Sequence, residues 1–192
     1  MNEVEKRRRI NKLAREIYRC RKCRLYRSRK HAVPGEGSIT SRIFFVGEAP
    51  GKNEDEQGRP FVGLSGKFFN QMLGKIGLSR NDIFVTGSVK CRPPQNRAPK
   101  NDELEICKKN WLNRQIEIIK PTLIVLLGKI ALKQVLGVKE NLDKIHGQMR
   151  QSNKQKCLIT FHPAAAMRFP GVRKKMEQDF TKIMEIIQNK TV

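Results

Sequence analysis

Nowhere in this 192-residue chain does an apolar run approach the roughly 18 residues of a membrane span. The opening residues are charged, unlike the apolar core of a secretion signal. A cytoplasmic protein with no membrane partner is the expectation. Acidic side chains are also scarce: 18 Asp and Glu stand against 40 Lys and Arg, a formal net charge of +22. That excess goes well beyond what solubility requires and points to a polyanionic partner, nucleic acid before a merely ribosome-adherent role. Cysteine is too sparse, at five residues, for a disulfide framework in such a compartment, which leaves metal binding or buried thiols. With no internal repeat and no long low-complexity linker, residues 1–192 are expected to form one domain.

What is present alternates. Ile43-Phe44-Phe45-Val46, Ile83-Phe84-Val85-Thr86, Leu123-Ile124-Val125-Leu126-Leu127 and Cys157-Leu158-Ile159-Thr160-Phe161 are continuous apolar runs of the kind buried parallel strands show. Helical spacing occupies the intervals: Glu3 to Arg19 with a basic outer face, Phe68 to Ile76 with Ser65 as N-cap, Asp102–Ile119, Lys129–Leu136 and Val172–Gln188. The pattern predicts an α/β protein, a three-layer α/β/α sandwich around a four-stranded, mostly parallel sheet. A small hairpin around Ser152-Asn153 is expected within Gln148 to Lys156.

Two strand ends attract attention. The first run empties into Gly47-Glu48-Ala49-Pro50-Gly51, continues through Glu54-Asp55 and reaches Gly58-Arg59-Pro60-Phe61-Val62-Gly63. Glycines at such a position let the backbone approach a ligand closely. The fourth run delivers His162-Pro163-Ala164-Ala165-Ala166, so one acidic loop and one His-bearing loop are expected to face a common cleft. Cys20 and Cys23 form a C-x-x-C pair, Cys91 follows the second strand and Cys107 lies on the next helix. Four thiolates from separate segments suit zinc or an iron–sulfur cluster, and spacing alone leaves both open beside ordinary buried thiols. Cys157 lies inside an apolar run and reads as core.

Gly47-Glu48-Ala49-Pro50-Gly51, Gly58 to Gly63, Lys90-Cys91-Arg92-Pro93-Pro94 and His162-Pro163-Ala164-Ala165 occur in an order that closely resembles the family 4 uracil-DNA glycosylases, over nearly the whole chain. The resemblance implies a monofunctional DNA glycosylase that hydrolyses the bond between a deaminated base, uracil foremost, and deoxyribose, leaving an abasic site for base-excision repair. It implies a [4Fe–4S] cluster on Cys20, Cys23, Cys91 and Cys107, a monomer, and DNA as partner. No motif supports a sliding-clamp contact.

Roles follow by position. The resemblance makes Phe61 the platform under the flipped base and His162 the donor to the base oxygen as negative charge develops there. Glu48 and Glu54 are the nearest carboxylates for the sugar cation or an attacking water, since Ala49 stands where stronger relatives carry an aspartate that holds the water. Asn96 supports the pocket, and Met167, Arg168 and Phe169 form the loop that enters the duplex. One departure matters: Gly87 stands where the family carries a base-reading asparagine. The alternatives are therefore broadened recognition, hypoxanthine for example, with Ser88, a water or the backbone as substitute reader, or a metal-containing nucleic-acid-binding module without catalysis.

Overall fold

A computed structural model describes residues 1–152 and 155–188. The strands are β1 (Glu36–Gly37), β2 (Ile43–Gly47), β3 (Ile83–Gly87), β4 (Leu123–Leu127), β5 (Met149–Ser152) and β6 (Gln155–Thr160), in one sheet ordered β1-β3-β2-β4-β6-β5. The four apolar runs form its parallel centre. The expected count of four strands is corrected to six, because an antiparallel strand is added at each edge. Neither carries a buried hydrophobic run. β1 is a Glu-Gly pair whose Gly37 has φ 123°, and its backbone lies so close to Ile83 that any Cβ would strike the Ile83 carbonyl. β5 is largely exposed and pairs antiparallel with β6 as the expected hairpin; Asn153, part of that expectation, lies outside the described residues.

The helices, in chain order, are α1 (Glu3–Tyr18), α2 (Lys52–Gln57), α3 (Leu64–Lys75), α4 (Asn101–Cys107), α5 (Asn113–Ile119), α6 (Lys129–Leu136), α7 (Leu142–Ile145), α8 (Pro163–Arg168) and α9 (Pro170–Gln188). Strand alternation assigns them to two layers. Ile43, Phe45, Ile83, Val85, Val125 and Leu158 pack with Phe69 of α3 and Phe180 of α9. Phe44, Val46, Phe84, Ile124, Leu126 and Ile159 pack with residues of α1, α4, α5 and α6 on the other side. The three-layer α/β/α arrangement is thus present. No described helix is long and apolar enough to cross a membrane.

Local differences from expectation have local causes. The helix expected over Asp102–Ile119 is interrupted by a π turn at Lys108–Leu112. Its displaced geometry is accompanied by an Asn110 side-chain bond to the Ile106 carbonyl, 2.8 Å. α3 is capped by Gly63 rather than by Ser65. A helix, α8, stands where a loop was expected after His162, started by Pro163 at its first position and by His162 as N-cap. Finally, α1 buries Ile10, Leu13 and Ile17. Its Lys6 donates to the Ile119 carbonyl (3.0 Å) and its Glu16 pairs with Arg114 (2.9 Å), which docks the N-terminal helix on α5.

Candidate active site

The carboxyl ends of β2, β3 and β6 open on one side of the sheet, where open α/β sheets place their ligands. Their loops enclose a cleft of about 320 Å³ whose walls include Glu48, Ala49, Phe61, Gly87, Asn96 and His162. Every residue expected to touch the base or the bond beside it therefore borders one pocket, and its size is that of a small-ligand site.

Phe61 is set by contacts on both sides. Its backbone has φ 54°, an uncommon conformation for a bulky residue and a form of local strain that packing must hold. The ring lies on Gly47, where a Cβ would come within 2.6 Å of its Cζ, and is 5.0 Å from the Phe69 ring between centroids. Only glycine leaves that space free. Glu54 fixes the loop: one carboxylate oxygen accepts from Val62 N (2.9 Å) and Gly63 N (2.8 Å), the other from Gly51 N (3.1 Å). Glu54 thereby joins the two glycine motifs and lines the pocket. Asp55 beside it is buried and accepts from Lys30 N and His31 N, so it is not a solvated loop charge.

His162 stands beside Phe61, with 6.0 Å between ring centroids. Its Nδ1 accepts the backbone N–H of Ala164 at 3.2 Å, which puts the proton of a neutral ring on Nε2. Burial pushes its pKa down to about 4, partly opposed by Glu54. At neutral pH the side chain is an uncharged donor. Glu48, on the same wall, is raised by burial above the ordinary 4.5 of a glutamate.

Gly87 leaves the end of β3 bare. Ser88 does not substitute for a side chain there: it is fully buried and its hydroxyl donates to the Gly47 carbonyl at 2.7 Å. Asn96 borders the cleft with φ 56°, its Oδ1 held by Arg92 Nε at 2.7 Å.

The profile of the Uracil DNA glycosylase superfamily matches residues 34–188. Curated relatives include the type-4 uracil-DNA glycosylase of Sulfurisphaera tokodaii, 46% identical over 92% of this chain and 84% of that protein. The type-4 enzyme of Saccharolobus solfataricus is 43% identical over 95% and 88%, and that of Archaeoglobus fulgidus 40% over 94% of each. The chain belongs to the type-4 uracil-DNA glycosylases.

Outside the pocket of this glycosylase, Met167 and Phe169 are exposed at the end of α8, with Arg168 between them. Arg97 is held by the buried Glu103 through two bonds of 2.7 and 2.9 Å. That pair was not visible in the sequence, although Glu103 six residues after Arg97 in a helix-opening stretch is the only signal it leaves.

The glycosylase also brings Cys20, Cys23, Cys91 and Cys107 around one gap, together with Arg29, Lys90 and Trp111. Cys157 is in β6, fully buried and away from it. Among the described residues, no group of three or more His, Cys, Asp or Glu side chains is arranged to hold a metal ion. Burial pushes the Cys107 thiol up to about 12 and Cys91 to about 11. Arg29 Nη1 lies 3.0 Å from Cys91 Sγ. Lys90, which sequence reasoning missed as a separate element, is 1% exposed; burial pulls it down to about 8. Its Nζ donates to Thr86 Oγ1 (2.6 Å) and to the Gly87 carbonyl (2.8 Å), so one buried cation runs from the cysteine gap to the floor of the base pocket.

Proposed function

We propose that this uracil-DNA glycosylase works by the division of labour that its pocket supports. The chain is a hydrolase of N-glycosyl bonds that starts base-excision repair at uracil in DNA. The flipped base stacks on Phe61, between walls formed by Ala49, Gly87 and Asn96. As the N1–C1′ bond breaks, its electron pair stays on the base and negative charge grows at O2. His162 Nε2–H donates to that oxygen while remaining neutral. The deoxyribose becomes cationic at C1′, and the Glu48 carboxylate supplies the opposing charge and accepts a proton from the water that adds there. Glu54 has all its observed bonds to backbone N–H groups and acts by holding Phe61 and Glu48 in register.

The observation that carries this reading is His162 capping α8 through Nδ1, because it fixes which ring nitrogen faces the pocket. Single-turnover cleavage of a uracil oligonucleotide tests it: His162→Ala should lose rate on the order of a hundredfold with DNA binding retained. Near-normal rates in that variant would remove His162 from the mechanism.

A [4Fe–4S] cluster on Cys20, Cys23, Cys91 and Cys107 is part of the proposal. Four cysteines lining one gap, with Arg29 and Lys90 beside them, suit a cluster of net negative charge. Such a cluster would pin the Cys20–Cys23 segment to the loop after β3. Met167, Arg168 and Phe169 fill the gap left by the flipped base, and the protein acts as a monomer. A second reading rests on Gly87: with Ser88 bonded to Gly47, no side chain at the strand end discriminates the base edge, and substrates beyond uracil, including hypoxanthine, are admitted. A module without catalysis is disfavoured by the neutral, oriented His162 beside Phe61.

A further inference from the structure

Seven large hydrophobic side chains are exposed among the described residues, and three of them, Leu64, Met167 and Phe169, come from the segments that border the base pocket. Leu64 is 70% exposed and has no part in the roles assigned above. An isolated exposed leucine is ordinary, so its surroundings decide. It is the first residue of α3, directly before Ser65, which lines the pocket. Met167 lies one turn beyond Ala164, which lines the pocket from α8. α3 packs along α8.

A second contact places Leu64 and Phe169 on one side of the molecule. One turn along α3 from Leu64, Phe68 carries the Arg173 guanidinium 5.4 Å from its ring centroid. Arg173 N in turn bonds the Phe169 carbonyl at 3.0 Å. Both exposed side chains are thus one helical turn from the same Arg173–Phe68 contact.

The electrostatics of this face fit DNA. None of α3, α8 and α9 places an acidic residue in its first turn, although acids are favoured there in general. Lys67, Arg168, Arg173 and Lys174 lie on the same segments. Helix starts without acids and exposed apolar side chains beside a pocket for an extruded nucleotide suit an opened duplex, while Glu177, further along α9, pairs with Arg173 (3.3 Å) and Lys75 (2.6 Å).

We propose that Leu64 is a second apolar wedge, a positioning residue that packs against the base pair beside the extruded nucleotide while Met167 and Phe169 fill the gap. This rests on the reading of Met167–Phe169 given above. The test compares full-length wild type, Leu64→Ala and Met167→Ala in single-turnover cleavage of one uracil strand, alone and paired with its complement. Leu64→Ala should be slowed roughly tenfold on duplex and less than twofold on the single strand, because only the duplex must be held open. A 2-aminopurine next to the uracil should brighten less on binding of Leu64→Ala than of wild type, and the melting temperature should not move. Equal slowing on both substrates, or unchanged duplex cleavage with an unchanged 2-aminopurine signal, overturns the proposal. Slowing by Leu64→Ala with a silent Met167→Ala keeps Leu64 and withdraws Met167 instead.

Discussion

His162 shows how one backbone contact sets the chemistry of a side chain. By accepting from Ala164 N, Nδ1 stays unprotonated, and burial keeps the whole ring neutral to about pH 4. A histidine ordinarily titrates near 6.5, so the unfolded chain binds a proton that the folded one refuses between about pH 6.5 and 4. The stability linked to His162 is therefore complete above about 6.5 and is lost as pH falls towards 4. Denaturant midpoints at pH 7.5 and 5 should fall further for wild type than for His162→Gln, and an equal fall in both would contradict a neutral native imidazole. Burial raises the Glu48 pKa, and the role proposed for Glu48 requires its carboxylate ionised, so that proposal assigns it the acid limb of cleavage. The wild-type rate should drop on acidification at a pH above the usual glutamate value, and Glu48→Gln should be slow with that limb gone. Gly87 behaves differently from its sequence context. It does not have positive φ, and what opposes a side chain is the Val89 carbonyl, 2.7 Å from the position of a Cβ. Gly87→Asn should destabilise the fold by about 1–3 kcal/mol through that displaced loop. If it folds, it should raise uracil over hypoxanthine cleavage by the same order. An unchanged substrate ratio in a folded variant would show that the backbone already reads the base.

At the scale of elements, the parallel centre of the sheet was legible because four apolar runs are long enough to be buried on both faces. The β1 edge was not: it owes its place to backbone proximity at Gly37, which leaves no hydrophobic trace. The β5 edge was legible only as a hairpin, since an exposed strand has no apolar run that would have added it to the strand count. α8 escaped notice because six residues give too short a period to detect, and its start depends on His162 serving as its cap. The residues that line the cleft stood in recognisable motifs, whereas the bonds between motifs were not legible: nothing in Glu54 as a letter says that it joins Gly51 to Val62 and Gly63. Glu54→Ala should cost about 1–3 kcal/mol in unfolding free energy, since it strands three loop N–H groups, and should also loosen Phe61. Equilibrium denaturation and a KM measurement together check this. Unchanged stability would mean that water replaces the carboxylate.

Taken as a whole, the molecule is a polycation with its acids largely paired internally, as in Arg97–Glu103, Arg24–Asp102 and Arg59–Glu36. If it neutralises about six phosphates, affinity for DNA should fall on the order of a thousandfold between about 50 and 200 mM salt, and a flat salt response would rule out phosphate-dominated binding. Replacing Cys20, Cys23, Cys91 or Cys107 by Ser should lower the melting temperature and bleach visible absorption, while Cys157→Ser should leave the absorption intact; a colourless, fully active preparation would remove the cluster.

The docking of α1 on α5 also has a consequence in time. α1 is synthesised before α5, and the partners of Lys6 and Glu16 lie 113 and 98 positions later in the chain. At about 5–20 residues per second, that is an interval on the order of 5–20 s. For that interval Ile10, Leu13 and Ile17 lack the α5 part of their core cluster, and the Cys20–Cys23 pair precedes the segments that carry Cys91 and Cys107. A helix made well before its partner is therefore among the last to reach its native surroundings.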